Sequence, residues 1–182
     1  DRTKSRGLGD VYKRQNLKIQ FGGGVRDEAK VKYLLELGVA NIIMGTSAIE
    51  NLNLFKKLIS SYPNQISLAL DIKNNLVSTK GWVEQVKLNL NDLFSELNPL
   101  PLNSVICTDV MRDGMKKGIN IEMLENIMSL SNAPCVASGG IASLADLIEL
   151  KDKNYNNLKG VIAGKALTLI HISEPTRLRT IS

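Results

Sequence analysis

Histidine is almost absent from this chain: its 182 residues contain one, His171. Proton transfer in any native reaction therefore falls to carboxylates, hydroxyls, lysines and backbone groups. Cysteine is nearly as scarce. Cys107 and Cys135 each lie in an apolar run, which reads as two buried free thiols on strands rather than a disulfide or a metal pair. No Cys or His cluster has metal-ligand spacing, so no metal is expected. No apolar run reaches the ~20 residues that a membrane helix needs, so no membrane partner is expected. Free thiols are expected in the cytoplasm. Aromatic residues make up only 4%, and Trp82 is the single tryptophan.

The formal charge of +5 is concentrated at the ends. Residues 1–15 carry five basic side chains against two acidic ones, and residues 168–182 carry two against one, so residues 16–167 are left near +1. Basicity is thus no argument for nucleic acid. The two ends are also related to each other. Residues 6–15 can be encoded by CGT GGG CTC GGA GAT GTG TAT AAG AGA CAG, whose reverse complement reads Leu-Ser-Leu-Ile-His-Ile-Ser-Glu-Pro-Thr. The chain carries that peptide at residues 167–176 with one difference, Thr168. Residues 1–15 and 168–182 are therefore expected to be translated adapter DNA rather than native protein. One domain is expected over residues 16–167, enough for a single core.

Along that segment short apolar runs alternate with helical patterns. Strands are expected at 18–21, 41–44, 66–70 (ending at Asp71), 104–107 (ending at Thr108 and Asp109), 134–137 and 159–163. Helical stripes run over 27–37, 52–59, 90–97, 121–130 and 144–150, with an extended excursion over 76–87. Regular alternation of nearly continuous apolar strands with helices argues a parallel sheet covered by helices. An open doubly wound sheet fits that alternation as well as a barrel does. A repeat at a half-chain offset favours the barrel.

The repeat is a glycine turn. Gly22, Gly23 and Gly24 are followed by a helix, a strand, and Gly45-Thr46; Ser138, Gly139 and Gly140 are followed by a helix, a strand, and Gly164-Lys165. Glycine turns bring backbone N–H groups close to a phosphate, and a helix N-terminus adds a favourable dipole; tight turns also need glycine for geometry alone. Two matched cradles suggest a ligand with two phosphates. Asp71 and Thr108 close adjacent strand expectations, where α/β folds bind ligands, and could share proton-transfer work, although a strand-end aspartate is also a common loop acid. Arg112, Asp113 and Gly114 form a loop that could close over a ligand or be a simple turn. Trp82 could stack on a ligand or pack beneath its own loop.

Taken together, Phe21-Gly22-Gly23-Gly24-Val25-Arg26, Ala69-Leu70-Asp71, Lys80-Gly81-Trp82, Cys107-Thr108-Asp109, Arg112-Asp113-Gly114, Ser138-Gly139-Gly140-Ile141 and the run from Gly160 to Leu167 resemble the ProFAR isomerase family of histidine biosynthesis. The resemblance covers residues 16–167. It implies a (β/α)8 TIM barrel of which strands three to eight are present and the first two strands and last helix are missing. It implies an Amadori rearrangement, aldose to ketose, on a bis-phosphorylated aminoimidazole carboxamide ribonucleotide, by a cytoplasmic monomer with no cofactor. Asp71 matches the expected general acid and Thr108 the threonine that supports the reacting sugar; the expected base would lie on the absent first strand. Lys165 stands where the family usually has arginine, and a lysine offers phosphate a point charge rather than a fork. The related cyclase subunit of imidazole glycerol phosphate synthase shares fold and phosphate sites, but Lys80-Gly81-Trp82 and Cys107-Thr108-Asp109 favour the isomerase. A non-catalytic phosphosugar-binding domain is the other alternative. With two strands missing and edges unpaired, this polypeptide itself is expected to be inactive and prone to aggregate.

Overall fold

The computed structural model describes residues 18–74, 76–115 and 118–164. Six parallel strands are laid out in chain order: β1 (Gln20–Gly22), β2 (Asn41–Met44), β3 (Ile66–Lys73), β6 (Ser104–Asp109), β7 (Cys135–Ser138) and β8 (Leu158–Ile162). The order never reverses. A doubly wound sheet turns back on itself at a switch point, whereas a barrel adds each strand beside the last. The sequential order therefore decides for the curled sheet of a partial (β/α)8 barrel.

Helices join the strands: α1 (Glu28–Glu36), α2 (Thr46–Glu50), α3 (Leu52–Ser61), α4 (Leu90–Leu97), α5 (Ile121–Leu130) and α6 (Leu144–Asp152). The 3.6-residue periodicity locates five of them; α4 and α5 begin and end at the residues expected from sequence. The five-residue α2, directly after Gly45, has too short a stripe to be read. Asparagine caps open three helices, with the Asn51, Asn89 and Asn120 side chains each accepting a hydrogen bond from a first-turn backbone N–H.

Strand alternation divides the sheet into two faces. Ile66, Leu68, Leu70 and Ile72 of β3, and Val105 and Cys107 of β6, join the main core with Phe55, Leu58 and Ile59 of α3. Ser67, Ala69 and Asp71, with Ser104, Ile106 and Thr108, occupy the other, inner face. On that face the Ser67 hydroxyl donates to Asn41 Oδ1 at 3.0 Å and lies 2.8 Å from the Ser104 hydroxyl, all three residues being buried. Cys107 and Cys135 are free and buried. The hydrogen bond with Cys135, and then burial, push the Cys107 thiol well above the ordinary cysteine range.

Two expectations are revised. The strand expected to end at Asp71 continues to Lys73, and the excursion over 76–87 is an ordered antiparallel hairpin, β4 (Leu76–Thr79) with β5 (Glu84–Val86). The reason is shared: β4 takes over the β3 edge where β2 stops, pairing Asp71 with Ser78, Ile72 with Val77 and Lys73 with Leu76. A hairpin partner, invisible to local periodicity, lengthens the strand.

Phe55 is fully buried between α3 and the sheet core. Phe55→Ala is expected to cost about 3–5 kcal/mol of unfolding free energy, read as a lower urea midpoint at unchanged slope.

Candidate active site

Parallel strands bring all their carboxyl ends to one rim, so the turns that follow them meet there. The register lines up a row across that rim: Ser78 opposite Asp71, Asp71 beside Thr108, Thr108 beside Ser138, and Ser138 beside Ile162. Asp71 and Thr108, expected from sequence to share one mouth, are direct neighbours on β3 and β6. Trp82, at the tip of the β4–β5 hairpin, donates from Nε1 to Asp71 Oδ2 at 2.8 Å.

One cleft is lined by Asp71 and a second by its partner Trp82. The larger, about 740 Å³, is lined by Gly23, Gly24, Arg26, Gly45, Thr46, Asp71 and Lys80 among others. The smaller, about 390 Å³, is lined by Trp82, Asp113, Gly114, Gly139, Gly140, Ile141, Ile162 and Gly164. Trp82 thus faces the second cleft while its indole N–H holds the acid of the first. Lys165 lies outside the described residues, as does His171.

The glycines of the two cradles are not equivalent. Gly23 and Gly24 have φ of +99° and +68°, and a Cβ on either would meet nothing within 4 Å. Their backbone is left-handed yet faces open space, as a ligand cradle requires. Gly139 (φ +82°) and Gly140 (φ +95°) are pressed against the loop that follows β6: a Cβ on Gly139 would stand 2.6 Å from the Asp109 carbonyl oxygen, and one on Gly140 would collide with the Gly118 carbonyl. Gly118 N–H also donates to the Gly140 carbonyl at 3.0 Å. Loop packing alone demands glycine at both positions of the second turn.

Of the helix N-termini beside the cradles, those of α1 and α6 are met by carboxylates, whereas that of α2, which opens at Gly45 and Thr46 in the larger cleft, has no side-chain cap. The Asp27 carboxylate caps α1 by accepting from Lys30 N at 2.7 Å. The Asp146 carboxylate accepts from Ala142 N and Ser143 N, both at 2.8 Å, ahead of α6. The dipoles of α1 and α6 are thus already met by their own carboxylates. The cations reading from sequence missed are Arg26 and Lys80. Arg26 sits inside the glycine motif itself, which was the available signal. Hydrogen bonding to Glu84, with the attraction of its carboxylate, raises Lys80 above the usual lysine range, and the ammonium lies 3.0 Å from Glu84.

Thr46 and Arg112 hold loops. The Thr46 hydroxyl accepts from Lys80 N at 2.9 Å, tying the hairpin tip to the turn after β2. Arg112 donates from Nη1 to the carbonyls of Ile119 at 2.9 Å and Gly118 at 3.3 Å, and its Nε lies 3.6 Å from Asp109. Asp109, buried, also accepts from Met111 N at 2.8 Å and Asn120 Nδ2 at 2.7 Å. The guanidinium expected to close over a ligand therefore braces the 109–120 loop, while Asp113 and Gly114 of the same loop do face the second cleft.

A family model described as histidine biosynthesis protein matches residues 2–173. The chain belongs to the histidine biosynthesis protein family. The matched span extends into both terminal segments that the reverse-complement relation sets apart. Over 165 residues the chain is 40% identical to the 1-(5-phosphoribosyl)-5-((5-phosphoribosylamino)methylideneamino)imidazole-4-carboxamide isomerase of Prochlorococcus marinus strain MIT 9301, covering 91% of this chain and 65% of that protein. The isomerase of the same name from strain NATL1A is 41% identical over 158 residues, 87% of this chain and 62% of its own length. The chain thus spans just under two thirds of these curated relatives, and the ProFAR isomerase resemblance seen in the motifs is borne out.

The two glycine turns should fail differently in this histidine biosynthesis family member. Gly139→Ala should lower the melting temperature by several degrees, because backbone must move to admit the methyl group. Gly23→Ala should cost only about 1 kcal/mol for its left-handed backbone while weakening the binding of a phosphorylated ligand. Thermal melts and titration calorimetry on the two variants check the contrast.

Proposed function

We infer that the whole protein of which this chain forms part is a ProFAR isomerase. It acts on a bis-phosphorylated aminoimidazole carboxamide ribonucleotide, converting the aldose to the ketose by an Amadori rearrangement. The observation that carries this reading is that Asp71 lines one glycine-lined cleft and is bonded to Trp82, which lines the other. One phosphate belongs to Gly22, Gly23, Gly24, Gly45 and Thr46, helped by Arg26. The other belongs to Ser138, Gly139, Gly140, Gly164 and Lys165. A ligand phosphorylated at both ends would then lie with its reacting ribose over β3 and β6. The names of the relatives point the same way.

Chemically, a proton delivered to the ribose ring oxygen breaks its bond to C1 and leaves a C1–N iminium. Loss of the C2 proton to the base expected on the first strand gives the enol-amine, which tautomerises to the 2-ketose. Every step is a proton transfer, so the scarcity of histidine is no obstacle provided a carboxyl group stands at the ring oxygen. Asp71 is that group, the general acid. Thr108, beside it in register, supports the reacting sugar through its hydroxyl. Trp82 then has two partners: the Asp71 carboxylate in this structure, and the flat heterocycle of a bound ligand, which its ring could stack against. Asp113 and Gly114 close the second cleft. We further read the enzyme as a monomer working in the cytoplasm, with residues 16–167 as its native part and the adapter peptides as additions.

In the complete gene product, Asp71→Asn is expected to lower kcat by about 10²–10⁴ while substrate binding, measured by calorimetry, stays near wild type. Turnover at the wild-type rate would remove Asp71 from the mechanism.

A further inference from the structure

Ser78 is an anomaly in the hairpin. It is only 5% exposed, and its hydroxyl has no hydrogen-bond partner among the described residues. Leaving a buried hydroxyl unpaired costs about 1–3 kcal/mol, so a native structure that keeps one calls for an explanation.

Its location supplies one. Ser78 is directly opposite Asp71 in the antiparallel β3–β4 pair. The neighbouring pair, Ile72 with Val77, faces the main core, so by alternation Asp71 and Ser78 share the opposite face. Directly opposed residues in such a pair have Cβ atoms about 4.5–5.5 Å apart. From there a serine hydroxyl and an aspartate carboxyl can meet by side-chain rotation alone. The Asp71 carboxylate has one side-chain donor among the described residues, the Trp82 indole on Oδ2. That donor is less firmly held than Ser78. Trp82 is 40% exposed, sits at a hairpin tip with φ of +73°, and lines the second cleft, where a ligand must enter. Ser78 is fixed in the ladder of β4, which pairs on both sides.

We propose that Ser78 is a positioning residue for Asp71: when a ligand draws the Trp82 indole away, the Ser78 hydroxyl donates to the released carboxyl group and keeps it aimed at the rim. In the ligand-free state the indole holds the carboxylate through Oδ2, and no hydrogen bond joins that carboxylate to the Ser78 hydroxyl. No bond is made or broken in this exchange except hydrogen bonds. The inference rests on the reading of Asp71 as the acid given above.

The test is made in the complete gene product that carries this segment, with the bis-phosphorylated ribonucleotide as substrate. Ser78→Ala should lower kcat about tenfold, the worth of one hydrogen bond, with KM nearly unchanged. Its melting temperature should hold or rise, because the lost hydroxyl had no partner in the free protein. Ser78→Thr should restore most of kcat, and Ser78→Ala should have no further effect in an Asp71→Asn background. Wild-type kcat in Ser78→Ala, while Asp71→Asn is inactive, would overturn the role of Ser78 and leave that of Asp71 standing. A fall in kcat that tracks a fall in melting temperature, without rescue by threonine, would mark Ser78 as structural and overturn the proposal as well. An active Asp71→Asn would instead sink the underlying reading, and with it this inference.

Discussion

The structure depends on one constraint, the in-register addition of each parallel strand beside the last. Because side chains alternate along a strand, a single register assigns every residue of six strands to the helix-facing core or to the inner face. A one-residue slip of β6 against β3 would take Thr108 away from Asp71 and turn Val105 and Cys107 out of the core. Burial of that core, with Phe55 and Leu68 fully enclosed, therefore enforces the alignment of the polar row at the rim. Chemistry at one end of the strands is held by hydrophobic packing along their whole length.

Much of this was legible in the sequence, and the limits were physical. Apolar spacing located α4 and α5 to the residue, because a helix stripe and its asparagine cap are local properties. Alternation of strands and helices pointed to a parallel sheet, but could not separate barrel from doubly wound sheet; that rests on neighbour order, a long-range property. The neighbourhood of Asp71 and Thr108 was readable because both lie near the carboxyl ends of strands on one rim. The partners of Arg112 were not. Its two carbonyl acceptors lie six and seven residues on, in a stretch with no motif. Ser78 gave no signal either, since only the hairpin register sets it across from Asp71.

The doubled glycine turn looks symmetrical in sequence and is not symmetrical in space. In the first copy the glycine conformation leaves room; in the second it removes a clash with the 109–120 loop. That loop is stiffened from within by Asp109, Arg112 and Asn120, so the second turn is pressed against a braced neighbour. One motif thus leaves open space at one end and answers to packing at the other. The helix starts differ as well: those of α1 and α6 are met by Asp27 and Asp146, while that of α2 at Gly45 has no side-chain cap.

The contact between Trp82 and Asp71 has a consequence of another kind. The chain has one tryptophan, and its indole nitrogen is bonded to the carboxylate at the centre of the rim. Its intrinsic fluorescence therefore comes from a single place, with no background from other indoles. Exposure of the ring and loss of the indole hydrogen bond would both register as shifts in emission. The molecule carries a built-in optical probe that lines one cleft and is bonded to the carboxylate of the other.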